Sequence, residues 1–107
     1  MEKRRSVRIS AAFRAGFISG DASYDVNIEN LSEHGINIRT APTRNAIDFT
    51  PGTPYELKFQ LPSGETLCLH CGVKWFHMKT SPDGLTYSIG IEIIDPPLKY
   101  REFLKTL

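Results

Sequence analysis

The chain has 107 residues, enough to bury one hydrophobic core and too few for two. Hydrophobic residues make up 40% and charged residues 23%, which is typical of a folded domain and excludes a disordered or fibrous protein. No apolar stretch approaches the ~20 residues that span a bilayer, and the N-terminus lacks the apolar core of a signal peptide. We therefore expect one soluble, cytoplasmic domain without membrane insertion.

The net charge of +1 is unevenly distributed along the chain. Residues 1–20 contain five basic side chains and a single acidic one, Glu2, so this part carries +4 and the remainder −3. Such asymmetry fits a compact phosphorylated ligand better than an extended nucleic acid, which needs a long basic stripe. A solvated basic terminus is the other interpretation of the charge alone.

Turns rich in Gly, Pro, Asp and Ser divide the chain into short segments in which apolar and polar residues alternate. Alternation predicts half-buried strands, because successive side chains of a strand point to opposite faces. The predicted strands lie near 11–19, 24–29, 36–39, 54–61, 65–77 and 85–94. No helical pattern long enough to connect parallel strands interrupts them. The sequence thus predicts an all-β fold, a six-stranded antiparallel β-barrel whose closure removes exposed edges.

The chain changes character after Pro96 and Pro97. Five apolar residues there have spacings compatible with a short amphipathic helix: Leu98, Tyr100, Phe103, Leu104 and Leu107. A helix this short is marginal alone, so we expect it to pack against the barrel or plug one end. The predicted single domain, 1–107, consists of a flexible basic segment (1–10), a barrel (11–95) and a helix (98–107).

Two arginines four residues apart, Arg4 and Arg8, precede the first predicted strand. Guanidinium groups suit a nucleotide, because their planar donors meet phosphate or the O6/N7 edge of guanine in a bidentate manner and their flat faces stack on bases. Arg5 is a further candidate for phosphate contact and ranks below the other two. By itself this pair is a weak signal, since charged residues are more often simply solvated.

A polar segment, Asn30-Leu31-Ser32-Glu33-His34-Gly35, connects two predicted strands. Asn30 can present donor and acceptor groups to a base edge, and Ser32 can donate to phosphate. Gly35 permits a positive φ or a close approach of the backbone. Without the arginines upstream, an ordinary polar turn would be the better interpretation of this segment.

Together these residues resemble the PilZ domain family, bacterial receptors for the second messenger cyclic di-GMP whose signature is RxxxR followed by [DN]xSxxG. Arg4 and Arg8 match the arginine positions, and Asn30, Ser32 and Gly35 match the loop positions. Later segments around the Trp and the following Gly-Ile-Glu also resemble strands of the family. The resemblance therefore covers nearly the whole chain, with its motifs in the right order.

The resemblance implies a six-stranded antiparallel barrel that binds its ligand on the outer surface, pinned by the N-terminal segment. In that arrangement the arginines engage phosphates and guanine, Asn30 meets a guanine edge, and Ser32 and Gly35 shape the loop contact. The chain would then be a cytoplasmic cyclic di-GMP receptor, without another cofactor, that passes binding to an unidentified downstream protein through a conformational change.

Three other classes of function fit the chain less well. A PilZ-like adaptor would act purely by protein contact, for example in pilus or flagellar control, with its arginines solvated. RNA or single-stranded DNA binding would need a long basic groove, and the body of the chain carries −3. An enzyme is a distant interpretation, because no recognisable nucleophile, metal site or catalytic motif accompanies the acidic residues.

Alternation within the fifth predicted strand assigns roles to three further residues. Cys68 and Cys71 form a CxxC, but residues three apart on a strand point to opposite faces, so we expect structural cysteines and no metal or disulfide. Trp75 falls on the same face as Val73, which favours a packing role over stacking against a base.

Overall fold

The computed structural model describes residues 9–107, which form six antiparallel strands and one short helix. The strands are β1 (Ile9–Ser19), β2 (Ala22–Leu31), β3 (Gly35–Thr40), β4 (Tyr55–Gln60), β5 (Thr66–Ser81) and β6 (Gly84–Ile93), and the helix is α1 (Leu98–Leu104). The strands follow one another in the order β1-β2-β3-β6-β5-β4, and pairing of β1 with β4 closes the barrel. The predicted closed six-stranded barrel with a short C-terminal helix is confirmed.

Several element boundaries differ from the predicted ones by two residues or more, and β2 (Ala22–Leu31) is two residues longer at each end than predicted. β1 begins at Ile9, so residues 9 and 10 are strand and not part of the basic segment predicted for 1–10. β5 continues to Ser81 instead of residue 77, because it forms a long hairpin with β6 around the turn Pro82-Asp83. The helix ends at Leu104, three residues before the predicted end at Leu107.

Alternating apolar residues of the strands fill the inside of the barrel. Ile28 of β2, Ile38 of β3 and Ile89 of β6 are Cα partners in adjacent strands, and each is at most 1% exposed. Full burial of a side chain of this size contributes about 1.5–3 kcal/mol. The period of two seen in the sequence therefore corresponds to the inward face of the sheet.

The connection between β3 and β4 closes one end of the barrel with Phe49. This ring is fully buried, and its centroid lies 5.1 Å from that of Tyr87 in an edge-on contact and 6.1 Å from that of Phe17. Phe76, from the β5–β6 hairpin, packs edge-on at 5.7 Å from the outer side and remains 37% exposed. One residue of a long connection thus completes the core.

Helix α1 closes the other end. Tyr100 and Phe103 are buried, and the Phe103 ring contacts Phe13 at a centroid distance of 5.7 Å, so the predicted docking is confirmed. Leu98 and Leu107, predicted to share the packing face, are 68% and 47% exposed. Since a helix turns by about 100° per residue, Leu98 lies on the side away from Tyr100. Leu107 lies beyond the last helical residue.

The two cysteines of β5 lie on opposite faces, as alternation predicted. Cys68 is exposed and Cys71 is buried, and both are free. Removal from water is the main cause that raises the pKa of the Cys71 thiol from 9.0 to about 12, with smaller contributions from Cys68 and Glu56. Cys71 therefore stays a neutral, unreactive core residue near neutral pH.

We predict that Phe49→Ala lowers the free energy of unfolding by about 3–5 kcal/mol, because removing this buried ring leaves a cavity. Urea denaturation measures the change. Phe76→Ala is the matched control, since it removes a neighbouring ring that is already 37% exposed and should cost less. Equal losses in the two variants would show that Phe49 does not complete the core.

We predict that a thiol reagent at pH 8 labels Cys68 in the native protein and reaches Cys71 only after denaturation. The reagent can reach the exposed Cys68, whereas Cys71 is buried and its raised pKa keeps the thiol protonated. Counting labelled thiols before and after adding denaturant measures this difference. In Cys68→Ser, the fast-reacting thiol should disappear. Rapid labelling of both cysteines in the folded protein is the contrary outcome.

Candidate functional site

The loop between β2 and β3 is a tight turn held together by Ser32 and Gly35. The Ser32 backbone N–H donates to the Gly35 carbonyl at 2.8 Å. The Ser32 hydroxyl donates to the same carbonyl at 3.1 Å and accepts from the Gly35 N–H at 3.2 Å. Ser32 is only 5% exposed. Its hydroxyl therefore shapes the turn from inside, and donation to a ligand phosphate would compete with these bonds.

Gly35 lies where two strands approach each other closely. The positive-φ glycines are Gly20, Gly52, Gly64 and Gly84, and Gly35 is not one of them. A Cβ at Gly35 would lie 3.2 Å from the carbonyl oxygen of Ile91 on β6 and 3.8 Å from the Ser32 hydroxyl. Of the two reasons for glycine suggested by the sequence, the close approach is the one present.

Asn30 faces outward because β2 contains a bulge. Ile28 pairs with Ile38, whereas Asn30 pairs with Asn37, so Glu29 is an extra residue on β2. Regular alternation would place Asn30 on the inward face with Ile28. Asn37 lies between two buried isoleucines and so points outward, and directly opposed residues share a face. The bulge thus delivers the Asn30 amide to the outer surface beside the loop.

Asn30 is part of a line of Cα partners that crosses the outer face of the barrel. The line runs from Asn30 on β2 through Asn37 on β3 and Gly90 on β6 to Trp75 on β5. On the other side, Asn30 pairs with Ser10 of β1 through the backbone. We call the four residues Asn30, Asn37, Gly90 and Trp75 the cross-strand row. It places amide groups and an indole on one face next to the turn.

The indole of Trp75 covers Gly90. A Cβ at Gly90 would lie 2.3 Å from the indole Nε1 and Cε2 atoms, so the ring occupies the space of the missing side chain. Trp75 is 40% exposed. The prediction that it shares the inward face of Val73 is wrong, because the register shifts between Val73 and Trp75 and leaves Lys74 as an extra residue. The ring lies on the outer face.

Two guanidinium groups lie on the same face, one row further along the strands. Arg14 of β1 and Arg39 of β3 are both Cα partners of Asn27, which is exposed between buried neighbours on β2. The Nε of Arg39 is 3.0 Å from a Glu29 carboxylate oxygen, and both side chains are substantially exposed. Such an exposed ion pair is weak. The Arg39 guanidinium on this face therefore remains able to bind an anion.

Helix α1, which closes one end of the barrel, contacts the turn there. The Tyr100 hydroxyl donates to the Ser32 carbonyl oxygen at 2.6 Å, and Tyr100 is fully buried. The Nε of Arg101 lies 3.6 Å from a Glu33 carboxylate oxygen. Sequence reasoning missed both contacts, because they join segments that are distant along the chain and no motif connects them.

The predicted ligand residues Arg4, Arg5 and Arg8 lie outside the described residues, so their roles stay predictions. The described chain begins at Ile9, whose Cα partner is Leu31. Ile9, the first described residue, therefore lies beside the turn. Of the predicted site residues, the structure brings together Asn30, Ser32 and Gly35 at this point.

The side chains in the turn and just before it include the Asn30 amide, the Ser32 hydroxyl, the Glu33 carboxylate and the His34 imidazole, all of which can form hydrogen bonds. Within residues 9–107, no three His, Cys, Asp or Glu side chains are grouped closely enough to hold a metal ion. The same part of the chain has no helix with the length and apolar character needed to cross a membrane.

The model of the PilZ domain family matches residues 2–107 of the chain. A similar solved structure is the inhibitor of motility MotI/DgrA from Bacillus subtilis, with a TM-score of 0.73 and 15% identity, covering 99% of this chain and 50% of that one. The PilZ domain of YcgR from Escherichia coli with c-di-GMP has a TM-score of 0.73 and 11% identity, covering 97% and 87%. No curated protein matches the sequence.

A third similar structure is the MrkH–c-di-GMP complex from K. pneumonia, with a TM-score of 0.70 and 14% identity, covering 99% of this chain and 51% of that one. The chain thus spans about half the length of MotI/DgrA and of MrkH. At these identities the structural likeness shows a shared fold. The family model, in contrast, covers nearly the whole sequence, including both motifs. This chain belongs to the PilZ domain family.

Proposed function

We propose that this protein is a receptor for cyclic di-GMP, bound on the outer face of the barrel between the N-terminal arginines and the Asn30 to Gly35 turn. The observation that carries the proposal is the turn itself: it is fully formed, it presents Asn30 outward, and the chain leading from the arginines enters beside it. Family membership and the c-di-GMP present in the YcgR and MrkH structures support the choice of ligand.

The arginines supply the charge that a dianionic ligand needs. Arg8 directly precedes Ile9, and an extended chain spans about 3.3–3.6 Å per residue, so Arg4 starts within roughly 17–18 Å of the anchored Ile9. We propose that both contact the ligand beside the cross-strand row. Their guanidinium forks bind phosphate oxygens or the O6/N7 edge of guanine, and Arg5 provides an additional phosphate contact.

Asn30 supplies base recognition, while Ser32 and Gly35 supply the shape of the turn. The Asn30 amide offers a donor and an acceptor to a guanine edge. Ser32 uses its hydroxyl within the turn, and Gly35 lets β3 approach β6. The division of roles makes specificity depend on Asn30 and the arginines, with the turn fixing the position of the amide.

The proposed output is a surface that exists only in the complex. A segment that closes over a dianion loses conformational freedom, and the ligand contributes the binding energy that offsets this loss. The ordered arginine segment and the bound nucleotide then form a combined face on the barrel. A downstream protein that recognises this face would be recruited only when cyclic di-GMP is present.

We expect calorimetric titration with cyclic di-GMP to show saturable binding. A second readout is the fluorescence of Trp75, the single tryptophan, which is 40% exposed in the cross-strand row. Cyclic di-AMP is the matched control ligand, since it keeps both phosphates and lacks the guanine O6, and it should bind more weakly. A Kd for cyclic di-GMP weaker than about 50 µM, near −6 kcal/mol, would contradict the proposal and favour the adaptor interpretation.

We expect Arg8→Ala to weaken cyclic di-GMP binding about tenfold to hundredfold, because hydrogen bonds to charged groups contribute about 1.5–3 kcal/mol. The same titration measures the effect. Arg44→Ala is the control, since it removes an equal charge from an exposed position in the connection between β3 and β4. Unchanged affinity in folded Arg8→Ala, or the same loss in Arg44→Ala, is inconsistent with a direct contact.

A further inference from the structure

Tyr100 makes a contact that the fold alone does not require. Its ring is completely buried beneath the β2–β3 turn, and its hydroxyl donates to the Ser32 carbonyl at 2.6 Å across 68 residues of sequence. Phenylalanine would fill the same space in the core. The hydroxyl therefore serves the turn, and its partner is the residue whose side chain closes that turn.

Loss of this hydrogen bond would change the shape of the turn. The Ser32 carbonyl would be left without its buried donor, and rotating it toward water is the way to recover hydration. Because the peptide unit is planar, rotating this carbonyl also rotates the Glu33 amide. The Ser32 and Gly35 hydrogen bonds that close the turn lie on either side of that unit. The position of the turn relative to Asn30 would change with it.

No other described contact between α1 and the turn can replace the Tyr100 bond. Arg101 and Glu33 are 3.6 Å apart, and their side chains are 49% and 42% exposed. An exposed ion pair of this kind contributes little and is screened by salt. The docking of the helix itself rests on Phe103 against Phe13, which does not depend on the Tyr100 hydroxyl. Tyr100→Phe thus isolates the effect on the turn.

We propose that Tyr100 is a positioning residue for the ligand site: its hydroxyl holds the Ser32 carbonyl and so sets the geometry in which the turn and Asn30 meet cyclic di-GMP. This inference rests on the proposed function. Burial raises the pKa of Tyr100 above its ordinary value, so the hydroxyl remains a donor throughout the physiological range.

Tyr87 offers a matched control at the other end of the barrel. It is 1% exposed, and its hydroxyl accepts a hydrogen bond of 2.7 Å from the backbone N–H of Ile47 in the connection between β3 and β4. Tyr87→Phe also removes one buried hydroxyl that is bonded to loop backbone. It should lower thermal stability to a similar degree without touching the turn.

The experiment compares Kd for cyclic di-GMP and Tm in wild type, Tyr100→Phe and Tyr87→Phe. We expect both variants to lose stability. Only Tyr100→Phe should bind cyclic di-GMP about fivefold to tenfold more weakly, which is the effect of losing about one neutral hydrogen bond to the ligand. Unchanged affinity in Tyr100→Phe overturns the inference. An equal loss of affinity in Tyr87→Phe also overturns it, because general destabilisation would then explain both.

NMR spectra of the ligand-free proteins separate this inference from the proposed function. The backbone amides of Glu33 and Gly35 should shift in Tyr100→Phe and stay in place in Tyr87→Phe. If wild type does not bind cyclic di-GMP, the proposed function fails, whatever these spectra show. If wild type binds and the amides do not move in Tyr100→Phe, the positioning role fails while the function stands.

Discussion

The extra residue at Glu29 in β2 is the constraint on which the candidate site depends. Strand side chains alternate strictly, so a single inserted residue exchanges the two faces for everything that follows. Ile28 before it and Leu31 after it are both buried, with an odd interval between them. With Ile28 inside, a regular strand would bury Asn30 and expose Leu31. With the bulge, the core is filled and the amide lies on the outer surface.

Much of the fold could be predicted from the sequence, because its signals are local. Alternation gave the number, type and approximate limits of the strands, and the absence of a long helix between them implied antiparallel pairing. The motif placed Asn30, Ser32 and Gly35 in one loop, and the structure brings them together there. Binding by the three N-terminal arginines rests on the resemblance to the family, since those residues lie outside the part that the structure describes.

What could not be predicted depends on register and on distant contacts. Regular alternation predicted that Trp75 lies inside the barrel. The extra residue Lys74 places it on the outer face instead, and the residue type of Lys74 does not indicate a bulge. The helix was predicted from spacing alone, which could not tell that Leu98 faces solvent. The bond between Tyr100 and Ser32 joins two ends of the domain, so no local pattern contains it.

Because Ser32 and Tyr100 are far apart in the sequence, the turn is synthesised well before the residue that holds it. Ser32 is synthesised 68 residues before Tyr100, which at about 5–20 residues per second is an interval of roughly 3–14 s. The helix follows the last strand, β6, after only four residues, so the part of the chain that closes the barrel and the part that holds the turn are both made at the end. The turn of a newly made molecule would therefore reach its final geometry late, when the helix docks and supplies the Tyr100 hydroxyl.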